Sequence, residues 1–377
     1  MLSLGVVAGE TSGDLLGAAV LQGLRALSNV DARGVVGPAL MAENVTQWNH
    51  IDELSVRGYV EVLRHLPRLM RLRSHLVDEF LKWKPQFLIG IDAPDFNIEL
   101  ERRVKVGGVK TIHFIGPSVW AWRYERIAKV RAAAHHVLLV FPFEKAIYDK
   151  EGIAATYVGH PLADVIPLSD SAIPSEPQKS LIVALMPGSR TDEVKYMGRS
   201  FLQTAAWLCQ QRADLHFVLP AANQALKVLL QSQLSRDQSL ANALAGRLTI
   251  TDGQSHSAIK AAAVCLVASG TATLEVALFK KPMVIAYKMP SLSYRLMKGK
   301  GYLPYIGLPN ILANEFLVPE FIQDAATPQF MGQALLKQLD DAPLRARLYE
   351  RFMQMHIELK QDCAARAADT ILELAER

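Results

Sequence analysis

Residues 264–275 read Val-Cys-Leu-Val-Ala-Ser-Gly-Thr-Ala-Thr-Leu-Glu, a run that passes from apolar residues directly into small hydroxyl residues and glycine. The apolar part is typical of a strand buried on both faces of a parallel sheet. The polar part is typical of a helix start, where unpaired main-chain amides and the helix dipole form a cradle for phosphate. We therefore predict a nucleotide-binding turn at Ser269, Gly270 and Thr271, with Glu275 close enough to bond ribose hydroxyls. In the alternative interpretation, Thr271 and Glu275 only cap and cover the helix.

The same change from an apolar run to a helical pattern recurs along the chain. Such alternation is typical of doubly wound α/β domains, whose ligands bind at the carboxyl ends of the strands. We predict an α/β protein with two Rossmann-like domains and an interdomain cleft. The predicted strands are Leu2–Ala8, Phe87–Ile91, Lys110–Ile115, His136–Phe141, Leu181–Met186, His216–Leu219, Leu248–Thr251, Val264–Ala268 and Pro282–Tyr287.

The length of 377 residues suits two domains. A stretch rich in Ser, Pro and Asp at Pro167–Lys179 marks the expected linker, and from about Thr327 the pattern is helical to the end. We predict an N-terminal domain over residues 1–166 and a C-terminal domain over 167–340. The segment 341–377 is expected to pack back on the N-terminal domain or on a partner chain.

Composition excludes several classes of function. A net charge of +4 is too mild to indicate a nucleic-acid binder. The three cysteines, Cys209, Cys265 and Cys363, are too few and too far apart to show a disulfide framework or a metal spacing, so we expect a reducing compartment. Cys265 is expected in the core. No apolar run reaches the length of about 18 residues that a membrane span needs, so any membrane contact is expected at the surface.

A carboxylate follows the strand at 87–91. Asp92 ends that strand, and in a partly desolvated cleft its basicity would rise, which suits a general base. Asp95 fits the cap of a helix starting near Phe96, whereas Asp92 comes too early for that role.

The turn at 9–14, Gly-Glu-Thr-Ser-Gly-Asp, follows the first strand and precedes a helix expected from about Leu15. It suits close approach of a ligand, or it is an ordinary turn in which Thr11 or Ser12 caps the helix.

Two loops carry large or charged side chains. Trp120, Trp122 and Arg123 follow the third predicted strand and suit an apolar ligand wall. The alternative is that both tryptophans pack inside the domain, and for one of them packing is the favoured explanation. Arg190 lies at the turn before a helix expected near Glu193, where a guanidinium suits a diphosphate. It is otherwise a surface arginine.

Taken together, these stretches resemble the lipid-A-disaccharide synthase family, by motif over roughly residues 1–320. Gly116 departs from the pattern, in which a small polar residue is expected. The motifs that carry the resemblance, in family order, are Gly-Glu-Thr-Ser-Gly-Asp at 9–14, Gly-Ile-Asp-Ala-Pro-Asp-Phe-Asn at 90–97, Pro-Ser-Val-Trp-Ala-Trp-Arg at 117–123, Pro-Phe-Glu-Lys at 142–145, Gly-His-Pro-Leu at 159–162, Pro-Gly-Ser-Arg at 187–190, Ser-Gly-Thr-Ala-Thr-Leu-Glu at 269–275 and Leu-Pro-Asn at 308–310.

The resemblance implies a GT-B fold and an inverting hexosyltransferase. The reaction it implies joins UDP-2,3-diacylglucosamine to 2,3-diacylglucosamine 1-phosphate (lipid X), giving the β-1′,6-linked disaccharide 1-phosphate and UDP. It also implies that Asp92 is the general base, with Glu10 and Ser12 as further catalytic residues. By the same resemblance, Arg190, Glu275 and Asn310 are polar site residues that bind UDP. The resemblance implies an enzyme that needs no metal and no cofactor. A UDP-sugar binder or 2-epimerase of the same fold is the alternative, and it would not need a lipid-facing surface.

Residues 57–84 form a basic amphipathic pattern, which predicts docking on the cytoplasmic face of the inner membrane at anionic lipid. Pro67 is expected to break this helix, Arg73 falls on its apolar side, and an ordinary helix with a solvated basic face explains the pattern equally well. Lys288, with neighbouring basic and aromatic residues up to Tyr305, could flank the same surface, and a homodimer is expected. The basic sector contains Arg57, Arg64, Arg68, Arg71, His75 and Lys82, opposite Tyr59, Leu63, Leu66, Leu69, Met70, Val77, Phe80 and Leu81.

Overall fold

A computed structural model of the chain describes residues 1–54, 59–168, 181–291, 294–295 and 299–376, without the side chains of 59–65. The described chain divides into two compact units, Met1–Asp164 with Glu358–Arg377, and Val165–Ile357. Most of the expected linker, and with it Arg57 and Lys298, lies outside the described residues, as does the side chain of Arg64.

The described residues of the first unit form a parallel sheet in the order β3-β2-β1-β4-β5-β6-β7, with helices between the strands. Its strands are β1 (Leu2–Ala8), β2 (Val30–Val36), β3 (Thr46–His50), β4 (Phe87–Ile91), β5 (Lys110–Phe114), β6 (His136–Leu139) and β7 (Ala155–Tyr157). Its helices are α1 (Thr11–Leu27), α2 (Pro38–Ala42), α3 (Tyr59–Trp83), α4 (Pro94–Val106), α5 (Arg126–Ala133), α6 (Glu144–Lys150) and α7 (Pro161–Val165), with a 3-10 turn at Ile51–Glu53.

The second unit repeats this architecture, with a parallel sheet of described strands in the order β10-β9-β8-β11-β12-β13. Its strands are β8 (Leu181–Met186), β9 (Leu215–Ala221), β10 (Leu248–Asp252), β11 (Val264–Ala268), β12 (Met283–Tyr287) and β13 (Glu320–Ile322). Its helices are α8 (Thr191–Gln211), α9 (Gln224–Ser235), α10 (Gln238–Leu244), α11 (Ser255–Ala261), α12 (Thr271–Leu278), α13 (Leu308–Ala313), α14 (Pro328–Asp340) and α15 (Ala342–Leu359), with a 3-10 turn at Gln323–Ala325.

The last helix, α16 (Cys363–Glu376), packs against α1 in the first unit. A Cβ atom on Gly23 of α1 would lie 3.2 Å from the Cβ atom of Ala368, so the two helices approach closely. The carboxylate of Asp164 accepts hydrogen bonds from the main-chain amides of Asp362 and Cys363, at 3.0 and 2.7 Å, and so caps the start of this helix.

The nine predicted strands are all present, and four of them begin and end at the predicted residues. Sequence patterns did not reveal β2, β3, β7 or β13. The strands β3, β7 and β13 lie at sheet edges, where one side of the strand faces away from the sheet and apolar runs are not required. The strand β2 carries Asp31 and Arg33, which pair with each other at 2.7 Å.

Three expected helix boundaries were wrong. Helix α1 begins at Thr11 and not near Leu15. Helix α4 begins at Pro94 and not near Phe96, because proline is favoured at the first position of a helix. Helix α8 begins at Thr191 and not near Glu193. The predicted helical C-terminal segment is confirmed.

Pro67 does not break α3, which runs without interruption from Tyr59 to Trp83. Downstream of the proline, Leu76, Val77 and Phe80 are buried in the core of the first unit beside α4. This packing outweighs the loss of one main-chain hydrogen bond at Pro67. Cys265 is fully buried in β11, as predicted, and all three cysteines are free thiols.

Candidate active site

The turn after β1 and the turn after β4 meet at the point where the strand order of the first sheet reverses. The strands β1 and β4 are adjacent and parallel, with Ala8 opposite Ile91. Gly9 donates its main-chain N–H to the carbonyl of Ile91 at 3.3 Å, and a Cβ atom on Gly9 would lie only 2.2 Å from the Cβ atom of Ala93. Glycine is therefore required at position 9. This switch point is where ligands bind in open α/β sheets.

Asp92 lies at this switch point in an unusual backbone conformation. Asp92 and Ala93 have φ angles of +55° and +44°, so two consecutive non-glycine residues occupy the left-handed region. The side chain of Asp92 is half-buried, and no hydrogen bond or ion pair engages its carboxylate among the described residues. A half-buried, unpaired carboxylate at a switch point is suited to accept a proton.

The neighbouring carboxylates have structural partners. Asp95 does not cap α4, because Ala93 occupies the cap position. Asp95 instead pairs with Arg126 at 2.5 Å and is 84% exposed. Asp14, the last residue of the first motif, is buried and accepts hydrogen bonds from the amides of Gly37 and Ala39 at the start of α2, at 2.7 and 2.8 Å. Asp92 is thus the acid of its motif that stays available.

Glu10 and Ser12 are exposed at the start of α1. Glu10 takes the cap position that was expected for Thr11 or Ser12, without a side-chain hydrogen bond to the helix. In the part of the chain that the structure describes, neither side chain has a hydrogen-bonding partner, so both remain available to a ligand at the carboxyl end of β1.

Trp120 packs inside the first unit, as the packing interpretation predicted for one tryptophan. Its ring lies edge-on to Phe141 and Phe143, with centroids 6.2 and 5.3 Å away. Its indole nitrogen donates to the carboxyl group of Glu144 at 3.2 Å. Burial raises the pKa of Glu144 to about 7, although this hydrogen bond and the one from the amide of Phe141 oppose the rise. Glu144 is therefore the anchor of the Trp120 loop.

Arg123 is exposed, and Trp122 is half-buried like Trp120. The guanidinium groups of Arg123 and Arg126 lie 5.3 and 5.9 Å from the ring centre of Trp122. Both arginines are therefore within cation–π distance of the indole ring. Gly116, the departure from the family pattern, has a packing reason: a Cβ atom there would lie 2.3 Å from the hydroxyl oxygen of the buried Tyr148.

The turn after β11 has an open backbone at the start of α12. Gly270 has a φ of +150°, and a Cβ atom there would meet no other heavy atom within 4 Å. Ser269 donates its hydroxyl to the carbonyl of Ile306 at 2.7 Å, while Thr271 is exposed. The exposed helix start and the open space at Gly270 fit the predicted phosphate cradle.

Glu275 pairs with His256 across 3.2 Å, a contact that the sequence did not predict. Burial raises the pKa of Glu275, and His256 opposes this effect. The carboxyl group has a side-chain exposure of 19%, and the imidazole of His256 is accessible at 46%. Glu275 is therefore a half-buried and oriented acceptor on the first turns of α12.

Arg190 caps α8 and keeps its guanidinium largely in solvent, with 76% of the side chain exposed. Glu193 holds the turn, because its carboxylate accepts the amides of Ser189 and Arg190 at 3.1 and 3.2 Å and pairs with the guanidinium at 3.2 Å. Arg190 follows β8, the strand next to β11 at the switch point of the second sheet.

Asn310 is placed differently from a ligand-contacting residue. It is fully buried, and its amide group binds the main chain of Val318 and the carboxylate of Glu320. Glu320 also accepts the amides of Ile306 and Gly307, each at 2.8 Å. Asn310 therefore shapes the loop around Ile306, and its predicted contact with UDP stays a prediction.

The basic face of α3 is partly accessible. Arg68, Arg71, Leu66 and Met70 are exposed, the last two at 43% and 56%. Arg73, which broke the predicted pattern, lies over the ring of Phe96 at 4.8 Å. None of the helices within the described residues is long and apolar enough to cross a membrane.

Comparison with known proteins decides the family. The sequence model of lipid-A-disaccharide synthetase matches residues 4–374. The lipid-A-disaccharide synthase of Burkholderia lata is 45% identical over all of this chain and 97% of its own length. That of Thiobacillus denitrificans is 47% identical, over 98% of this chain and 99% of its own length. The chain belongs to the lipid-A-disaccharide synthase family. The chain is therefore an enzyme and a glycosyltransferase, as predicted.

Solved structures show the same fold at low identity. MurG of Acinetobacter baumannii has a TM-score of 0.59 and 14% identity, over 98% of this chain and 99% of its own. The UDP-GlcNAc 2-epimerase of Neisseria meningitidis, solved with UDP-GlcNAc, has a TM-score of 0.57 and 13% identity over the full length of both chains. The predicted GT-B fold class is confirmed. These neighbours include transferases and epimerases, so the fold alone does not separate the two activities.

Two motif residues have structural roles that the sequence did not indicate. Asn97 ends the Asp92 motif and is fully buried, and Glu144 lies in the Pro-Phe-Glu-Lys motif. Their place inside the quoted motifs was the available signal for both. His256 and Glu320 had no such signal, because their partners lie far away in the sequence.

Proposed function

We propose that this chain joins UDP-2,3-diacylglucosamine to 2,3-diacylglucosamine 1-phosphate, with Asp92 as the general base. The observation that carries this role is the half-buried, unpaired carboxylate of Asp92 at the switch point of the first sheet. In the reaction, the carboxylate accepts the proton of the acceptor 6-hydroxyl as that oxygen bonds to the anomeric carbon. The bond from the anomeric carbon to the UDP oxygen breaks, and its electron pair leaves with UDP.

We propose that the second unit binds the UDP part. The amides at the start of α12, near Gly270, and the guanidinium of Arg190 would stabilise the negative charge that grows on the diphosphate. Glu275, held by His256 at 3.2 Å, would accept the ribose hydroxyls. Ser269 and Asn310 hold the loops around the start of α12, because their side chains donate hydrogen bonds to the main-chain carbonyls of Ile306 and Val318.

The acceptor is assigned to the first unit. Glu10 and Ser12 lie beside Asp92 at the carboxyl end of β1 and would bond the acceptor sugar. Trp122 and Arg123 would bind the acylated part and the phosphate, with Trp120 as the packed support of their loop. Among the described residues, no group of His, Cys, Asp and Glu side chains could hold a metal ion, and the proposed mechanism uses none.

We infer that the enzyme docks reversibly on the cytoplasmic face of the inner membrane. Exposed Leu66 and Met70 beside Arg68 and Arg71 form a surface with both apolar and cationic groups, as amphiphilic substrates require. Exposed Tyr302 and Phe316 in the second unit, near Lys300, offer a second such surface. A homodimer is proposed as well, with exposed Phe330 and Ile357 of the C-terminal helices as its apolar contacts.

Mass spectrometry of the products tests the reaction. The protein is mixed with both acylated sugars, and the expected products are the disaccharide 1-phosphate and UDP in equal amounts. An epimerase would convert the UDP-sugar alone to an isomer of the same mass and would release no disaccharide. That outcome would replace the transferase proposal by the alternative.

A further inference from the structure

The backbone at Asp92 needs something to hold it. Asp92 and Ala93 both have positive φ angles, of +55° and +44°. Residues with a Cβ atom avoid this region because the Cβ atom approaches the following carbonyl oxygen. Two such residues in succession persist only where the surroundings determine the conformation, and such sites concentrate where function requires a fixed geometry.

The two peptide groups around Asp92 are both fixed by hydrogen bonds. The N–H of Asp92 donates to the carbonyl of Phe114 in β5 at 2.9 Å. The carbonyl of Asp92 accepts the side-chain amide of Asn97 at 2.8 Å. The same amide nitrogen lies 3.3 Å from the carbonyl of Val7 and 3.4 Å from that of Ile91, so it also reaches the ends of β1 and β4.

The main chain of Asn97 completes the corner. The amides of Phe96 and Asn97 donate to the carbonyl of Ala93, at 2.9 and 3.0 Å. Asn97 therefore fixes the carbonyl groups of both left-handed residues, one through its side chain and the other through its main chain. With its own N–H and carbonyl occupied, Asp92 has a fixed backbone, which sets the direction of its Cα–Cβ bond.

A buried ionisable pair lies one turn further along α4 from Asn97. Glu101 lies four residues later, on the same face of the helix. Its carboxyl oxygen lies 2.8 Å from Nδ1 of His113 in β5, and both side chains are fully buried. Gly90 makes room for this carboxyl group, since a Cβ atom there would lie 2.1 Å from Oε1 of Glu101.

The pair joins α4 to both neighbouring strands. Burial opposes charge on the imidazole, but the carboxylates of Glu101 and, more weakly, Asp92 raise the pKa of His113. The 2.8 Å contact between Glu101 and His113 joins α4 to β5 and so fixes the distance of α4 from the sheet. A shift of α4 would move Asn97 with it.

We propose that Asn97 is a positioning residue that holds the Asp92–Ala93 corner in its left-handed conformation and so directs the carboxylate of Asp92 toward the acceptor hydroxyl. The Glu101–His113 pair supports Asn97 in this role. The inference rests on the proposed function, in which Asp92 is the base. The role differs from ordinary packing of a buried amide, because its loss would affect turnover through the backbone of two other residues.

The first test replaces Asn97 by alanine. We expect Asn97→Ala to lower kcat by about 10- to 100-fold, as misplacement of a reacting group does, with the KM of both substrates changed little. Asn97→Ser, which keeps a shorter donor, should retain an intermediate kcat, and it serves as the main test if Asn97→Ala does not fold.

The decisive variant adds Ala93→Gly, since glycine occupies the left-handed region without a steric penalty. Asn97→Ala with Ala93→Gly should recover at least several-fold in kcat over Asn97→Ala alone. Loss of packing would not be repaired by removing a methyl group. An equal or lower kcat in the double variant overturns the proposal.

A matched control separates stability from positioning. Gln338 is buried in the second unit, and its side-chain amide donates to the carbonyl of Met283 at 3.0 Å. Gln338→Ala removes a comparable buried hydrogen bond and should leave kcat unchanged. If Asp92→Asn is as active as the native enzyme, the proposed function fails. If Asp92→Asn is inactive but folded Asn97→Ala has native kcat, only the positioning role fails.

Discussion

The indole nitrogen of Trp120 donates a hydrogen bond to the carboxyl group of Glu144, 3.2 Å away, inside the first unit. The carboxyl group is almost fully buried, and burial raises its pKa from 4.5 to about 7. This acid is therefore harder to ionise in the folded chain than in the unfolded chain. The contribution of Glu144 to stability therefore falls as the pH rises from 4.5 through about 7, because the unfolded chain releases the proton first.

We expect Glu144→Gln to remove this pH dependence. Across the window, the shift corresponds to about 3 kcal/mol of unfolding free energy. The free energy of unfolding of the variant, relative to that of the native protein, should rise by this amount between pH 4.5 and pH 8. Urea unfolding of both proteins at each pH measures it. Exposed Glu125→Gln is the control and should show no such trend. A pH-independent difference between native and Glu144→Gln protein would refute the assignment.

UDP binding is expected to depend on the second unit. Arg190→Gln should weaken UDP by about 10- to 100-fold in calorimetry, because a charged hydrogen bond to phosphate contributes about 1.5–3 kcal/mol. Glu275→Gln should weaken it less. The controls are Arg236→Gln, an exposed arginine in the same unit, and Glu10→Gln in the first unit, and both should bind normally. A crystal structure with UDP at Gly9–Gly13 would reverse the assignment of the two units.

Membrane docking is expected to require anionic lipid. Native protein should sediment with vesicles that contain phosphatidylglycerol, less so at high salt, since each basic side chain near the surface adds about 1 kcal/mol of attraction. Arg68→Glu with Arg71→Glu, with or without Arg64→Glu, should remain in the supernatant. Lys129→Glu with Lys150→Glu, two exposed lysines of the same unit, is the matched control. Equal recovery of native protein with and without anionic vesicles would leave the basic face of α3 as a solvated surface.

Light scattering tests the homodimer. At micromolar concentration the native protein should have twice the mass of one chain. Phe330→Asp with Ile357→Asp should shift it toward the monomer, because a charge at an apolar contact costs free energy on burial. A native protein that is monomeric at every concentration tested would exclude the dimer.

Sequence patterns predicted those parts of the fold and site that depend on local composition. Buried strands such as Val264–Ala268 are apolar throughout, and the turns that follow them carry glycine and hydroxyl residues. The edge strands β3, β7 and β13 were not predicted, because partly exposed strands do not need a continuous run of apolar residues. The predicted break of α3 at Pro67 was wrong for a related reason. Local propensity favours a break, whereas the packing of Leu76 and Phe80 keeps the helix intact.

Within the site, the missing information was long-range. The left-handed corner at Asp92 and Ala93 contains no glycine from which it could be predicted. It is held by the hydrogen bonds that Asp92 makes with Phe114 and Asn97. Asn310 belongs to a recognisable motif, yet its amide is committed to Val318 and Glu320. A motif therefore locates a site but does not separate ligand-binding side chains from those that shape the backbone.

The most direct test of Asp92 as the base is the turnover of Asp92→Asn, measured together with substrate binding. Asparagine keeps the size and most of the hydrogen bonding but cannot accept the proton, so kcat should fall by about two to four orders of magnitude. The affinity for the UDP-sugar should stay close to native. Asp95→Asn, which alters the neighbouring exposed carboxylate, should keep native turnover. Near-native kcat in Asp92→Asn would contradict the proposed mechanism.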